Sequence, residues 1–224
     1  MKRNLLISGG LVIVIASIFG YVWLKEDIRS LLGKQKNECP TLQSPVDTKN
    51  VTSVLYPGQL RGGDYKVHGG FRFDGLSNNN VTVKAPISAK LTRAGRYIEI
   101  GEVQYIFIFE TDCGLTYRFD HLLTLAPKFQ SVVGRLPKAV ESSANFEDIH
   151  PTIDVQTGET IATAVGFRQY KGRPNVSFDF GVYIDKYGKK GICWLDILPS
   201  EDTVRLKALP GGDTQSGKTS DYCQ

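Results

Sequence analysis

Along the chain the apolar positions change pattern twice. Leu5 to Leu24 is twenty residues without a charge, held between Lys2-Arg3 and Lys25-Glu-Asp27. At helical rise this run is long enough to cross the hydrocarbon layer, and no clear small-x-small cleavage site follows it, so an uncleaved signal anchor over residues 1–24 is expected. Residues 25–50 turn polar, with Pro40 and Pro45, and read as a stalk. From 51 to 199 the pattern is that of strands, short alternating runs punctuated by glycine, proline and asparagine. In Val81-Thr-Val83-Lys-Ala85 the odd positions are apolar, and Leu115-Thr-Tyr117-Arg-Phe119 alternates in the same way. The Asp112-Cys-Gly114 turn ahead of it predicts a hairpin. Tyr105 to Phe109 is apolar on both faces and predicts a central strand. Thr160–Val165 and Val176–Ile184 complete the strand set.

Helical periodicity is confined to Phe129–Val140, inside a long segment between Pro127 and Pro151 that reads as an insertion or lid. Residues 200–224, rich in Gly, Thr, Ser and Asp, read as a polar tail that Cys223 can pin. The fold class predicted is all-β and antiparallel, behind one N-terminal transmembrane helix.

Composition narrows the function classes. The 224 residues, 41% hydrophobic, suffice for one domain with a core. The net charge of +4 is spread along the chain, with no basic stripe and interleaved aromatics, which argues against nucleic acid as a partner. Lys25, Arg29, Lys34 and Lys36 oppose Lys2 and Arg3 in the positive-inside count. The cysteines break the tie: Cys39, Cys113, Cys193 and Cys223 all follow the apolar run, and an even set outside the cytosol points to disulfides. Of the three possible pairings, Cys39–Cys223 with Cys113–Cys193 is the one expected. The domain is thus placed outside the cytoplasm on a single-pass membrane protein.

Three histidines, His68, His121 and His150, are the candidates for chemistry. His150 has only a loop context. No G-x-x-x-x-G-K-[ST] loop accompanies the glycine pairs. Ser177, Asp179 and His121 are the residue types of a hydrolytic triad, but Ser177 and Asp179 project side by side from one strand, which prevents histidine from standing between them.

His68-Gly-Gly-Phe-Arg-Phe, Val83-Lys-Ala-Pro86 running on to Gly95, Tyr117-Arg-Phe-Asp-His121-Leu122, Gly158-Glu-Thr-Ile and Val176-Ser-Phe-Asp179-Phe180 come in an order that resembles the lysostaphin-like (LytM-type) zinc endopeptidases of peptidoglycan, with their duplicated hybrid motif fold. The match runs from about Tyr65 to Asp185. The resemblance implies an antiparallel β-sandwich with one groove, in which His68 falls on the first zinc ligand and Arg72 on the aspartate ligand. By the same resemblance His121 falls on the histidine that assists the water, Ser177 on an acid/base histidine and Asp179 on the third ligand.

A guanidinium has no lone pair for a cation and stays charged, so Arg72 argues for a pseudoenzyme without a metal cofactor. The expected arrangement is an Arg72–Asp179 ion pair on the groove floor. Groove aromatics Phe71, Phe73, Tyr117 and Phe178 are candidates for stacking on a ligand. The expected function is binding of peptidoglycan or an envelope protein, with regulation of wall hydrolysis. The alternative is an active zinc metalloendopeptidase in which Asp74 replaces the lost carboxylate, its ligands His68, Asp74 and Asp179, with His121 as catalytic group or further ligand.

Overall fold

The computed structural model describes residues 39–142 and 144–224. The expected anchor and residues 25–38 of the stalk lie outside them. Among the described residues no helix is long and apolar enough to cross a membrane.

The predicted alternation becomes an antiparallel sheet of nine strands: β1 (Ser53–Leu55), β4 (Gly69–Arg72), β5 (Val83–Lys84), β6 (Ala89–Glu99), β7 (Glu102–Glu110), β8 (Thr116–Leu125), β9 (Asn145–Val155), β10 (Thr160–Val165) and β13 (Ser177–Tyr183). Their main order is β1-β4-β13-β8-β7-β6-β9, and β10 joins β5 to β8. Two small hairpins stand apart, β2 (Gln59–Arg61) with β3 (Asp64–Lys66) and β11 (Phe167–Tyr170) with β12 (Arg173–Asn175). Among the described residues the α-helices are a single turn, α1 (Gln130–Val133), and α2 (Ser200–Ala208).

Period-two alternation gives the sheet two unlike faces. One carries Phe71, Phe107, Phe109, Tyr117, Phe119, Phe178 and Phe180, all fully buried, and closes against Trp194. Phe71 lies 4.8 Å from Trp194 and Phe109 stacks on Tyr117 at 4.8 Å, so the rings interlock as well as exclude water. Phe71, Phe73, Tyr117 and Phe178 are therefore core and not groove: alternation sends them to the face opposite His68 and Asp179.

Three expected boundaries move. Residues 39–50 are not stalk, because Leu42 is buried and donates its N–H to Ile197 O at 3.0 Å while Gln43 N–H reaches Pro86 O at 2.8 Å. Residues 200–224 are not a loose tail. After α2 the chain bridges Val54 through Gly211, and Thr219 accepts from Gln59 Nε2 at 2.9 Å. The 127–151 insertion is no lid: Phe129, Val132 and Leu136 are buried, and its second half enters β9, an edge strand paired with β6 that includes His150. Glu147, Asp148 and Pro151 make that strand look like a loop, yet charges and proline are what an exposed sheet edge tolerates.

All four cysteines are paired, but as Cys39–Cys113 and Cys193–Cys223. A disulfide needs Cα atoms about 4.4–6.8 Å apart, and the fold brings these pairs to 5.2 and 4.9 Å. The first ties the start of the domain to the β7–β8 turn, and the second ties the C-terminal segment beside Trp194.

Gly70 fixes the spacing of β4 and β13. A Cβ there would run into the carbonyl oxygen of Phe178 and approach Asp179 Oδ1 to 3.3 Å. Gly70→Ala is expected to destabilise the domain by ~2 kcal/mol through overpacking, lowering the midpoint of a thermal melt by about 4–8 °C at this size.

Candidate functional site

The face opposite the aromatic core holds the polar residues. Asp179 on β13 stands directly across from Asp120 on β8, and next along the strands Gly181 stands across from Arg118. His68 lies just ahead of β4, whose Gly70 pairs with Asp179. Together with Lys66, Tyr97, Glu99 and Phe146, the side chains of His68, Arg118, Asp120 and Asp179 line an open cleft of about 510 Å³.

His121 reaches this face through a bulge. Tyr105 pairs with Leu122 but Phe107 pairs with Phe119, so β8 carries one residue more than β7 between these points. The extra residue lets Asp120 and His121, neighbours in sequence, both serve the cleft. His121 takes φ +60°, a left-handed conformation costly for a non-glycine residue and tolerated where surroundings impose it. The surroundings are visible. Gly166 N–H donates to His121 O at 2.8 Å, and His121 N–H donates to Asp120 Oδ1 at 2.8 Å.

The imidazole is oriented by a buried glutamine. Gln104 gives its Nε2 to Gly166 O at 3.1 Å, which leaves Oε1 facing His121 Nδ1 at 2.6 Å. The hydrogen-bond network thus places a proton on Nδ1 and turns Nε2 to the cleft, 3.7 Å from Asp179 Oδ2. Asp120 takes three hydrogen bonds: besides His121 N–H it accepts from Tyr97 Oη at 2.6 Å and from Arg118 Nη2 at 2.7 Å. Burial would raise its carboxyl, but the charges of His121 and Arg118 and the Tyr97 hydroxyl leave it lowered.

Asp179 accepts from His68 Nε2 at 2.8 Å, with only 17% of its side chain exposed. Burial opposes its ionisation. The charge and hydrogen bond of His68, then His121 and Arg61, outweigh burial and hold Asp179 well below the usual carboxylate range. Arg61, itself buried, donates to His68 O at 3.0 Å and Tyr56 O at 2.8 Å, so it fixes the backbone at the head of β4 and places a cation behind Asp179. At the rim, burial raises the Glu99 carboxyl above its ordinary value.

Of the sequence candidates, His68, His121 and Asp179 come together and the others do not. Arg72 makes no pair with Asp179: its Nη1 donates to Gly212 O at 3.2 Å, because the C-terminal segment runs past β1 and offers a nearer acceptor. Asp74 lies beyond the end of β4, exposed, and exchanges hydrogen bonds with Thr52 at 2.9 and 3.0 Å, so the His68, Asp74, Asp179 set is not assembled. Ser177 stands across from Arg72 and donates to Asn175 Oδ1 at 3.2 Å. Sequence reasoning missed Tyr97, Gln104, Arg118, Asp120 and Arg61. The Tyr117-Arg-Phe-Asp alternation could have placed Arg118 and Asp120 on one face, whereas no local signal marks the others.

Asp120, His121 and Asp179 put one ligand-type atom each within 4.8 Å of one another, close enough to raise the question of zinc. Two ligands about 2.0 Å from a tetrahedral ion stand about 3.3 Å apart, and a ligating histidine passes its other N–H to an acceptor. His68 does neither. Its Nε2 is at hydrogen-bonding distance from Asp179, and its Nδ1 is buried without a partner among the described residues. A zinc-bound His68 would keep an N–H on Nδ1, buried and without an acceptor among the described residues, at a cost of about 1–3 kcal/mol. Asp120 already accepts from three donors, one of them a guanidinium that offsets its charge and repels a cation. The donor set does not fit a catalytic zinc.

No family model matches this chain, and no curated protein does. Among solved structures, Helicobacter pylori Csd3 is similar at 13% identity with a TM-score of 0.41, over 75% of this chain and 40% of that one. The glycyl-glycine endopeptidase candidate lytM of Ruminococcus gnavus is similar at 14% identity with a TM-score of 0.35, over 71% of this chain and 61% of that one. The chain thus spans less than two thirds of either, and neither likeness bears on the chemistry of the cleft.

The buried charges make stability depend on pH. A carboxyl lowered in the folded state gives stability that is fully present above the unfolded value of about 4 and is lost as the pH falls toward the folded value. Asp179→Asn should cost ~2 kcal/mol at pH 7 and flatten the acid limb of stability against pH, measured by urea melts between pH 7 and 3. Arg72→Met, which removes one hydrogen bond to a carbonyl, should cost only ~1 kcal/mol and leave that acid limb unchanged.

Proposed function

We propose that this chain is a peptidase-like, non-hydrolytic envelope domain whose cleft binds peptidoglycan, held at the membrane through residues 5–24. The hydrogen bond between His68 Nε2 and Asp179 Oδ2 carries the reading. Hydrolysis of an amide at neutral pH by a site of this kind needs an activated water, and the groups that would hold a metal for it are engaged elsewhere, Asp179 with His68 and Asp120 with Arg118. What remains is recognition: an open cleft with histidine and carboxylate groups on its floor and Phe146 on its wall. Two disulfides agree with an oxidising compartment outside the cytoplasm, and the motif order from Tyr65 to Asp185 suggests wall material as the ligand and an envelope protein as the other candidate.

The test uses the full chain in detergent. After incubation with zinc and dialysis, metal analysis should return far less than one zinc per chain. The protein should be retained on purified peptidoglycan sacculi, equally with and without chelator, and should release no soluble fragments. His121→Ala, which spares the His68–Asp179 pair, should weaken retention about tenfold, the loss expected from one well-placed contact. Stoichiometric zinc with chelator-sensitive cleavage would replace this reading with that of an active metallopeptidase.

A further inference from the structure

The cleft is one end of a longer groove. Two of its lining residues, Arg118 and Phe146, also wall a pocket of about 140 Å³, and Arg93 and Tyr187 carry that pocket into a wider one of about 430 Å³. The register gives the direction of this path. Arg118 faces Ile108, Ile108 faces Arg93 and Arg93 faces Asp148, so the groove crosses β8, β7, β6 and β9 and follows none of them. From β8 to β9 is three strand spacings, about 14 Å, which suits a linear ligand of several rings and exceeds a single one.

What the groove presents to solvent is ring faces and polar tips. Phe146 is 42% and Tyr187 64% exposed. A cation rests over each: the Arg93 guanidinium carbon lies 5.9 Å from the centre of the Phe146 ring, and Lys186 Nζ lies 5.0 Å from that of Tyr187. These contacts steady the rings at the surface without covering them. In the wider pocket Glu110 and Asp148 are balanced by Arg93 and Lys186, with His150 and Thr152 exposed beside them. Arg93 Nη2 donates to Lys186 O at 2.8 Å and Thr92 Oγ1 to Glu110 Oε1 at 3.1 Å, so the polar wall is ordered too.

Two carboxylates set against two cations give this part of the groove no net charge to attract an ionic polymer. The floor strands β8, β7 and β6 are each paired on both sides, so they offer no sheet edge for an extended peptide to join. Sugar rings suit what is present. Their C–H faces pack on aromatic faces, and their hydroxyls, donor and acceptor at once, are met by carboxylate, guanidinium, imidazole and hydroxyl groups.

We infer that this groove takes the glycan strand of peptidoglycan, a β-linked chain of N-acetylated amino sugars, with Tyr187 as a stacking platform away from the His68–Asp179 pair. The inference rests on the reading of the cleft as a peptidoglycan site and names the part of that polymer the groove holds.

The probes are N-acetylchitotetraose, the β-linked tetramer of N-acetylglucosamine, its monomer, and N-acetyl-trialanine. Each is titrated into the full chain in a detergent without a sugar head group and followed by saturation-transfer NMR to millimolar concentration. The tetramer should bind at least about tenfold more tightly than the monomer, with an affinity that low and high salt leave unchanged. Tyr187→Ala should weaken the tetramer about tenfold, whereas Tyr187→Phe should keep it, because the ring face makes the contact. Both variants should melt at the parent's Tm, since the side chain is largely exposed. No binding of the tetramer, equal binding of tetramer and monomer, or undiminished binding by Tyr187→Ala would overturn the groove as a sugar site. Binding of trialanine that Tyr187→Ala abolishes would overturn it in favour of a peptide site. Sacculus retention measured in parallel separates the two readings. Retention without tetramer binding removes the glycan groove and leaves the peptidoglycan reading, and tetramer binding without retention keeps the sugar site and removes the wall as its source.

Discussion

Two carboxylates facing each other across adjacent strands set the terms for this molecule. Asp120 and Asp179 are directly opposed on β8 and β13, mostly out of water, and the charge of Asp179 raises the affinity of Asp120 for a proton. Such a pair persists in ionised form only if donors and cations surround it. They come from widely separated parts of the chain: Arg61 from a small hairpin, His68 from the approach to β4, Tyr97 and Gln104 from the β6–β7 hairpin, Arg118 and His121 from β8 itself. The bulge in β8, the left-handed backbone of His121 and the absence of a side chain at Gly70 are consequences of fitting those partners into one place.

The resemblance to zinc peptidases looks different in this light. The sequence suggests that Arg72 spoils a metal site from inside, but Arg72 is spent on Gly212. The obstacle to a dication lies instead in Arg118 on Asp120, Arg61 behind Asp179, and a histidine proton already committed to a carboxylate. The cleft floor is internally neutralised, with hydrogen-bonding groups at its surface.

How much of this was readable before the fold depended on distance along the chain. Alternation in Leu115–Phe119 marked a strand, and the run Tyr105–Phe109, apolar on both faces, marked a central one, because burial along a strand is a local property. The order of the motifs brought His68, His121 and Asp179 to one site. What failed was nonlocal. Arg72 finds its acceptor 140 residues on, in a segment whose polar composition resembles a tail. The disulfide partners depend on which chain ends pass which turns. Asn145–Val155 escaped notice because an edge strand is exposed on both faces and shows no alternation, and the β8 bulge left no mark because one added residue changes no composition.

The link between Cys39 and Cys113 bears on mechanics. Residue 39 opens the domain and Cys113 sits in the turn joining two central strands. A pull arriving through the preceding chain is thus passed covalently to that turn as well as along the backbone. The loops and short strands from Pro40 to Ser88, which include β4 and the approach carrying His68, are bypassed by the tether. A domain pulled at its amino end would share that load between the backbone and the β7–β8 hairpin, the same hairpin that carries Gln104, Arg118, Asp120 and His121.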